Sequence, residues 1–290
     1  MRNDVVERAL LAPTRTFALV AGLSVALITG CDSVSGIPGD PVEVTAAPTT
    51  TATQAVATPA PTSTTESVPA DAPQVGAVAG DQDAVAAVRR WAADLRTDTV
   101  AALKDKCWTI PPNTVATMYA DPSTVLAVLT GPGTATEDGV TWRDRGTTVT
   151  VDRESIDSGY ACGRVFAAGV EPGYDEADAR HTVRRYLARA TGKPLNSDDV
   201  EATHPLTCAA SPVQWDPEGT GNPTAPPLTS DSGKVGNVTS FTGEELRSEQ
   251  IRGDYLAVHV PVTTSPGGTR TRTFTVVTTA EGYCIGDVTI

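Results

Sequence analysis

Gly159-Tyr160-Ala161-Cys162-Gly163-Arg164-Val165 and Gly282-Tyr283-Cys284-Ile285-Gly286-Asp287-Val288 are two versions of one short pattern in a chain of 290 residues. A second echo lies upstream of each: Val88-Arg89-Arg90-Trp91 before the first and Val183-Arg184-Arg185-Tyr186 before the second. One cysteine falls between each pair of landmarks, Cys107 in the first half and Cys208 in the second. Three landmarks in one order argue for an internal duplication, and a repeated unit is a statement about architecture. Each unit opens with a helix, places a cysteine near the end of its helical part, and closes on a Gly-Tyr-Cys strand.

Local periodicity agrees. Val85, Val88, Ala92 and Leu95 recur at helical spacing, with Asp81 or Asp83 as cap, and Thr97 is placed to cap a second helix carrying Val100, Leu103 and Cys107. In the second unit Ala179, Val183, Tyr186, Leu187 and Ala190 make the equivalent stripe, after Asp175 and before the Gly192-Lys193-Pro194 stop. A short helix over 197–203 is expected to follow. Leu256, Val258, Val260 and Val262 alternate as a half-buried strand does, Pro266-Gly267-Gly268 turns the chain, and 273–279 and 283–290 complete a meander. The first unit has a shorter version in 140–143, 147–152 and 160–167. Helices followed by an antiparallel meander define an α+β class, with helices on one sheet face. The sequence therefore predicts two tandem helix-then-meander units, 82–170 and 171–290. Arg89-Arg90 and Arg184-Arg185 fall outside the apolar stripes and are expected on solvated faces.

Of five cysteines, Cys31 stands apart at the end of an apolar run from Phe17 to Ile28. The other four, Cys107, Cys162, Cys208 and Cys284, are even in number and allow three pairings. If each unit is self-contained, the bridges are Cys107–Cys162 and Cys208–Cys284. Zinc is the competing reading; it fails on spacing, because no two cysteines lie within four residues of each other and only His204 is near one.

Composition bounds the partners. The formal net charge is −13, and the first 30 residues carry three arginines against one aspartate and one glutamate, so their removal takes it to −14. Such a balance excludes a nucleic-acid partner and a polybasic membrane surface. From about Gly36 to Gly80 the chain is Thr, Pro, Ala and Val without period or aromatic residue, too poor in apolar area to offset ordering entropy. Residues 31–81 therefore read as a disordered stalk, which reaches ~140 Å at full polyproline extension.

Sequences that carry chemistry are scarce. No G-x-S-x-G, H-E-x-x-H or Walker A string occurs. Asp175-Glu176-Ala177-Asp178 is better explained by helix capping than as a helicase box. Asp198-Asp199 and Glu244-Glu245 read as solvated or helix-start acids rather than cation ligands. The second unit holds 21 more residues between its cysteines than the first, mainly in 211–240, with Trp215 alone among Gly, Pro, Thr and Ser. Such a loop is either a mobile insertion or a flap anchored by Trp215. His259 with Tyr255, four apart on one strand face, completes a set of pocket candidates: Trp215, Tyr255 and His259. No cofactor, metal site or catalytic residue is expected.

Two resemblances give these readings an address and a fold. The apolar run, too short to span ~30 Å of hydrocarbon, ends in Leu27-Ile28-Thr29-Gly30-Cys31, which resembles the lipobox of bacterial lipoproteins. Arginine-over-lysine usage and abundant Ala, Thr and Val resemble actinobacterial envelope proteins. The resemblance implies a signal peptide over 1–30, cleavage before Cys31, acylation of its thiol with diacylglycerol (palmitate-type chains), and residence on the extracytoplasmic face of the cell membrane. Its Thr/Pro runs are similar to the O-mannosylated stalks of such proteins. The order of elements in each unit resembles NTF2-like (cystatin-like) cone domains. Together these imply a membrane-anchored, non-catalytic lipoprotein whose partner is a small apolar or wall-derived ligand or an envelope protein. The alternatives are an envelope enzyme with a cone pocket, known by a buried His–carboxylate or Tyr–carboxylate pair, and a purely structural adaptor.

Overall fold

Asp81 accepts the Ala84 amide at 3.0 Å and starts α1, Gln82–Thr97, whose residues Ala84, Ala87, Val88, Trp91 and Leu95 form one buried face. This is a computed structural model, and it describes residues 67–289; the expected signal peptide, Cys31 and most of the expected stalk lie outside the described residues. α2, Val100–Lys106, is capped by Thr99 rather than Thr97. Two helices that periodicity did not foretell follow, α3 (Pro112–Met118) and α4 (Pro122–Leu129). Each carries proline in its first turn, where the missing amide costs nothing, so prolines that look like breakers are starters.

The meander follows as β1 (Gly133–Ala135), β2 (Gly139–Arg143), β3 (Thr147–Asp152) and β4 (Arg164–Ala167), antiparallel in sequence order, with α5 (Arg153–Asp157) between the last two. Val140 faces Val151 and Trp142 faces Val149 across β2 and β3. These four meet Trp91, Leu103, Tyr119 and Leu129 in the first core. Gly163 has no room for a side chain, since a Cβ there would come within 2.7 Å of the Trp91 ring. Beside it, the buried Tyr119 hydroxyl donates to the Gly163 carbonyl at 2.7 Å.

Part of the expected stalk is built into this layer. Ala72 and Val78 are buried, the Gly76 amide donates to the Leu129 carbonyl at 2.7 Å, and Val78 bridges Gly133 beside β1. Composition reads 67–81 as linker because its contribution is largely backbone pairing.

The second half opens with α6, Glu176–Ala190. Asp175 and Asp178 form a reciprocal capping box at its start, the role assigned to that acidic run. No helix spans 197–203: the Asp198 amide turns onto the Asn196 side chain at 2.9 Å, a local bond that competes with helix. The insertion is partly regular, with α7 (Pro227–Ser230) and β5 (Val238–Phe241). β6 (Arg247–Arg252), β7 (Tyr255–Thr264), β8 (Thr269–Thr279) and β9 (Gly282–Thr289) complete an antiparallel sheet in which β5 and β6 share one edge of β7. β6 pairs with the start of β7 (Gln250 with Leu256) and β5 with its end (Phe241 with Val262). The sheet curls into a half-barrel around Val183 and Leu187 of α6, with Val258, Val260, Phe274 and Val276 facing them.

Both disulfides form as the duplication requires: Cys107–Cys162, with Cα atoms 5.8 Å apart, and Cys208–Cys284, 4.8 Å apart. They close separations of 55 and 76 residues. Chain entropy assigns about 4 kcal/mol to each. Among the described residues the fold is thus mixed α+β, with two antiparallel sheets, two hydrophobic cores and one disulfide in each half.

Candidate functional site

Between the two cores lies a polar seam, built mainly by the buried face of α6. Arg164 of β4 pairs with Asp178 of α6 at 2.7 Å, both nearly buried, and its guanidinium lies 4.5 Å over the Tyr174 ring. One turn on, His181 hydrogen-bonds through Nε2 to the Trp108 carbonyl at 2.8 Å. A carbonyl only accepts, so the imidazole carries its proton on Nε2. Burial pushes the pKa of His181 down to about 4, the Arg185 and Arg184 charges adding to the effect. Arg185, a further turn on, stacks 4.9 Å over the Trp108 ring and pairs with Asp199 at 2.8 Å.

Neither Arg185 nor Asp199 is solvated, as isolated sequence reading expects; they are 8% and 1% exposed. The reason is mutual. Burial alone would raise the Asp199 carboxyl, but hydrogen bonds from Arg185 and Arg189 outweigh it and hold it below the usual carboxylate range. Arg189 also grips Glu201 and the His204 carbonyl, each at 2.7 Å. Glu201 in turn accepts the Leu206 and Thr207 amides at 3.1 and 2.9 Å. The 196–208 loop is therefore fixed in place by α6, and it presents His204. That imidazole meets Trp108 edge-on, centroids 4.9 Å apart, and pairs through Nδ1 with Glu154 of α5.

The seam opens into a cleft of about 340 Å³. Its first-half wall is Thr109, Ile110, Asp152, Glu154, Ser155 and Arg164. Its second-half wall is Tyr174, the Asp178–Thr182–Arg185 face of α6, the run 204–209, and 279–284 with the Cys208–Cys284 bridge. A second groove of about 230 Å³ shares Asp152, Arg164, Tyr174 and Ala280 with it. Burial, with the Asp152 charge next in weight, pushes the Tyr174 hydroxyl up to about 12, so it stays a neutral donor. No family model, no curated protein and no solved structure matches this chain.

The pocket candidates read from sequence lie elsewhere. Trp215 is buried edge-to-face on Tyr255, centroids 5.2 Å apart, against Gly286, the extra residue of a bulge between β8 and β9. Tyr255 donates to the Gln214 carbonyl at 3.0 Å and accepts the Asp216 amide at 2.9 Å. Trp215 and Tyr255 are thus brought together as an anchor for the insertion, and neither lines either cleft. His259 is half-exposed between Thr273 (3.0 Å) and Glu249 (3.2 Å), and it too is outside both clefts. Sequence reading missed Arg164, Asp178, Trp108 and the Glu154–His204 pair. The one available signal was the Val-Arg-Arg-aromatic echo: Arg185 and its counterpart Arg90 both turn inward, Arg90 donating to the Gly159 carbonyl at 2.6 Å. Among the described residues no group of three or more His, Cys, Asp or Glu is placed to hold a metal ion, and no helix is long and apolar enough to cross a membrane.

Proposed function

We propose that this chain is an extracytoplasmic lipoprotein, anchored through acylated Cys31 after loss of residues 1–30, whose stalk presents a receptor head. The head binds a small wall-derived ligand in the seam cleft. Its role is non-catalytic, and the surrounding halves are reduced NTF2-like cones in tandem. The cone reading is supported by a helix laid against a curled meander in the second half and a shorter meander in the first. The observation that carries the ligand reading is the cleft itself, whose floor is held rigid by the Arg185–Asp199–Arg189 network while its wall keeps polar groups open to a guest. The charged and hydroxyl groups in its lining, Asp152, Arg164, Tyr174 and Thr182 among them, favour a wall fragment over the apolar ligand or protein surface that the sequence also admits. An envelope enzyme is the second reading, favoured by the Glu154–His204 pair at the cleft.

Native mass spectrometry of the protein extracted from its own membrane tests both parts. The expected result is a chain beginning at Cys31 with added acyl mass and a retained small polar molecule. A chain without acyl mass overturns the anchor, and an empty head over repeated preparations overturns the receptor.

A further inference from the structure

We infer that the second groove continues the seam cleft as a further subsite, and that the ligand is a linear glycan lying across both. This rests on the cleft being the ligand site and deepens it by naming the class of ligand. Continuity is the first support. The groove, about 230 Å³, and the cleft, about 340 Å³, share Asp152, Arg164, Tyr174 and Ala280. The ridge between them is fixed: the Arg164 guanidinium lies 4.5 Å over the Tyr174 ring, and a Cβ at Gly282 would sit 3.6 Å from the same ring. The floor of the groove is the second support. Val140, Trp142, Val149 and Val151 turn into the first core, so strand alternation puts Thr141 and Thr150 on the opposite face. Thr141 pairs with Thr150 and Thr150 with Arg164, which makes one row across β2, β3 and β4 at steps of ~4.8 Å. Both threonines line the groove, and a threonine hydroxyl donates and accepts as a sugar hydroxyl does. The Arg164 charge is already matched by Asp178, so the row suits a neutral polyol better than an anion. Phe166 is the third support. It lines the same groove from β4, is half-buried, and packs in neither hydrophobic core. An aromatic ring left beside hydroxyls is a platform for the C–H face of a pyranose. A peptide would instead be taken up by main-chain pairing at a sheet edge, whereas this groove lies on a sheet face.

The test uses the mature chain with Cys31→Ser, which needs no lipid, and two lengths of one neutral glycan, chitobiose and chitohexaose, followed by amide chemical shifts. Chitohexaose is expected to bind roughly 10-fold more tightly than chitobiose. It is also expected to move the amides of Thr141, Thr150 and Phe166 together with those of Thr182 and the 204–207 run. Phe166→Ala is expected to weaken chitohexaose by roughly 10-fold. Thr150→Val, which keeps the β-branched shape and an unchanged thermal midpoint, is expected to weaken it by roughly 5-fold. If chitohexaose binds no more tightly than chitobiose, or moves the cleft amides and not those of the groove, the inference is overturned and the receptor reading stands. Groove amides moved by a soluble wall peptide and not by chitohexaose overturn the glycan assignment. If a molecule is retained from the native membrane yet neither glycan moves an amide of either cavity, the inference falls alone; if none is retained and neither glycan binds, both fall.

Discussion

Replacing Asp199 by alanine tests whether the seam is held together as the geometry implies. The carboxylate is solvent-free and takes Arg185 Nη2 at 2.8 Å, Arg189 Nε at 3.0 Å and a further bond from Arg189 Nη2. Removing it leaves the largely buried Arg185 guanidinium without a counter-charge, beside an Arg189 whose only remaining counter-charge is Glu201. Breaking a buried pair from one side costs about 3–5 kcal/mol, more than most large-to-small changes at the surface. For a domain of this size each kcal/mol moves the midpoint by about 2–4 °C, so the variant should unfold roughly 6–20 °C earlier. The sign of the acid dependence follows from the same contacts. The Asp199 carboxyl is depressed in the folded state, so its contribution is complete above the ordinary carboxylate pKa and is lost as pH falls through the folded value. Urea unfolding at pH 7 and pH 3 measures both effects: the gap between wild type and Asp199→Ala should narrow in acid. A loss below ~1 kcal/mol at pH 7, the range of an exposed ion pair, would refute a buried network.

Three further outcomes follow from other parts of the fold. Gly286→Val places a Cβ 2.1 Å from the Trp215 ring, so it should cost at least about 1–3 kcal/mol and shift indole emission to the red, as the anchor of the insertion is displaced; unchanged emission would contradict the packing. Replacing Cys208 and Cys284 together by serine should cost about 4 kcal/mol, read as a lowered denaturation midpoint, and non-reducing peptide maps should show the remaining Cys107–Cys162 link alone. His181 binds its proton at about 4 when folded against an ordinary 6.5, so the unfolded chain gains a proton first on acidification. Stability should fall by up to roughly 3 kcal/mol between those pH values, and His181→Gln should flatten that slope.

The apolar skeleton was legible before the structure. Strict alternation at Leu256, Val258, Val260 and Val262 marks β7, the stripe through Val183 and Leu187 marks α6, and the shared order of landmarks gives both disulfides. These signals are local, because a helix or strand writes its buried face into its own residue spacing. Short elements were less visible: α3 and α4 begin at prolines, and β5 and β6 together make one interrupted edge strand of mixed polarity. The site was hidden for a different reason. Arg185 and Asp199 each look like surface charges; burial becomes favourable only when the two meet, and the irregular chain after α6 brings them together across a separation of 14 residues. Arg164 and Asp178, and Glu154 and His204, come instead from opposite halves of the duplication, and no spacing rule relates them. Aromatic and histidine residues drew attention to Trp215, Tyr255 and His259, where they serve packing and a half-exposed pair on the sheet.

The most direct test of the cleft as the working site is a titration of the isotope-labelled chain, from residue 31 onward with Cys31→Ser, with soluble fragments of a digested cell wall. The account predicts saturable shifts concentrated at Arg164, Tyr174, Thr182 and His204, with the amides around Trp215 and Tyr255 unmoved. Shifts confined to the Trp215–Tyr255–His259 side, or none at saturating fragment, would contradict it.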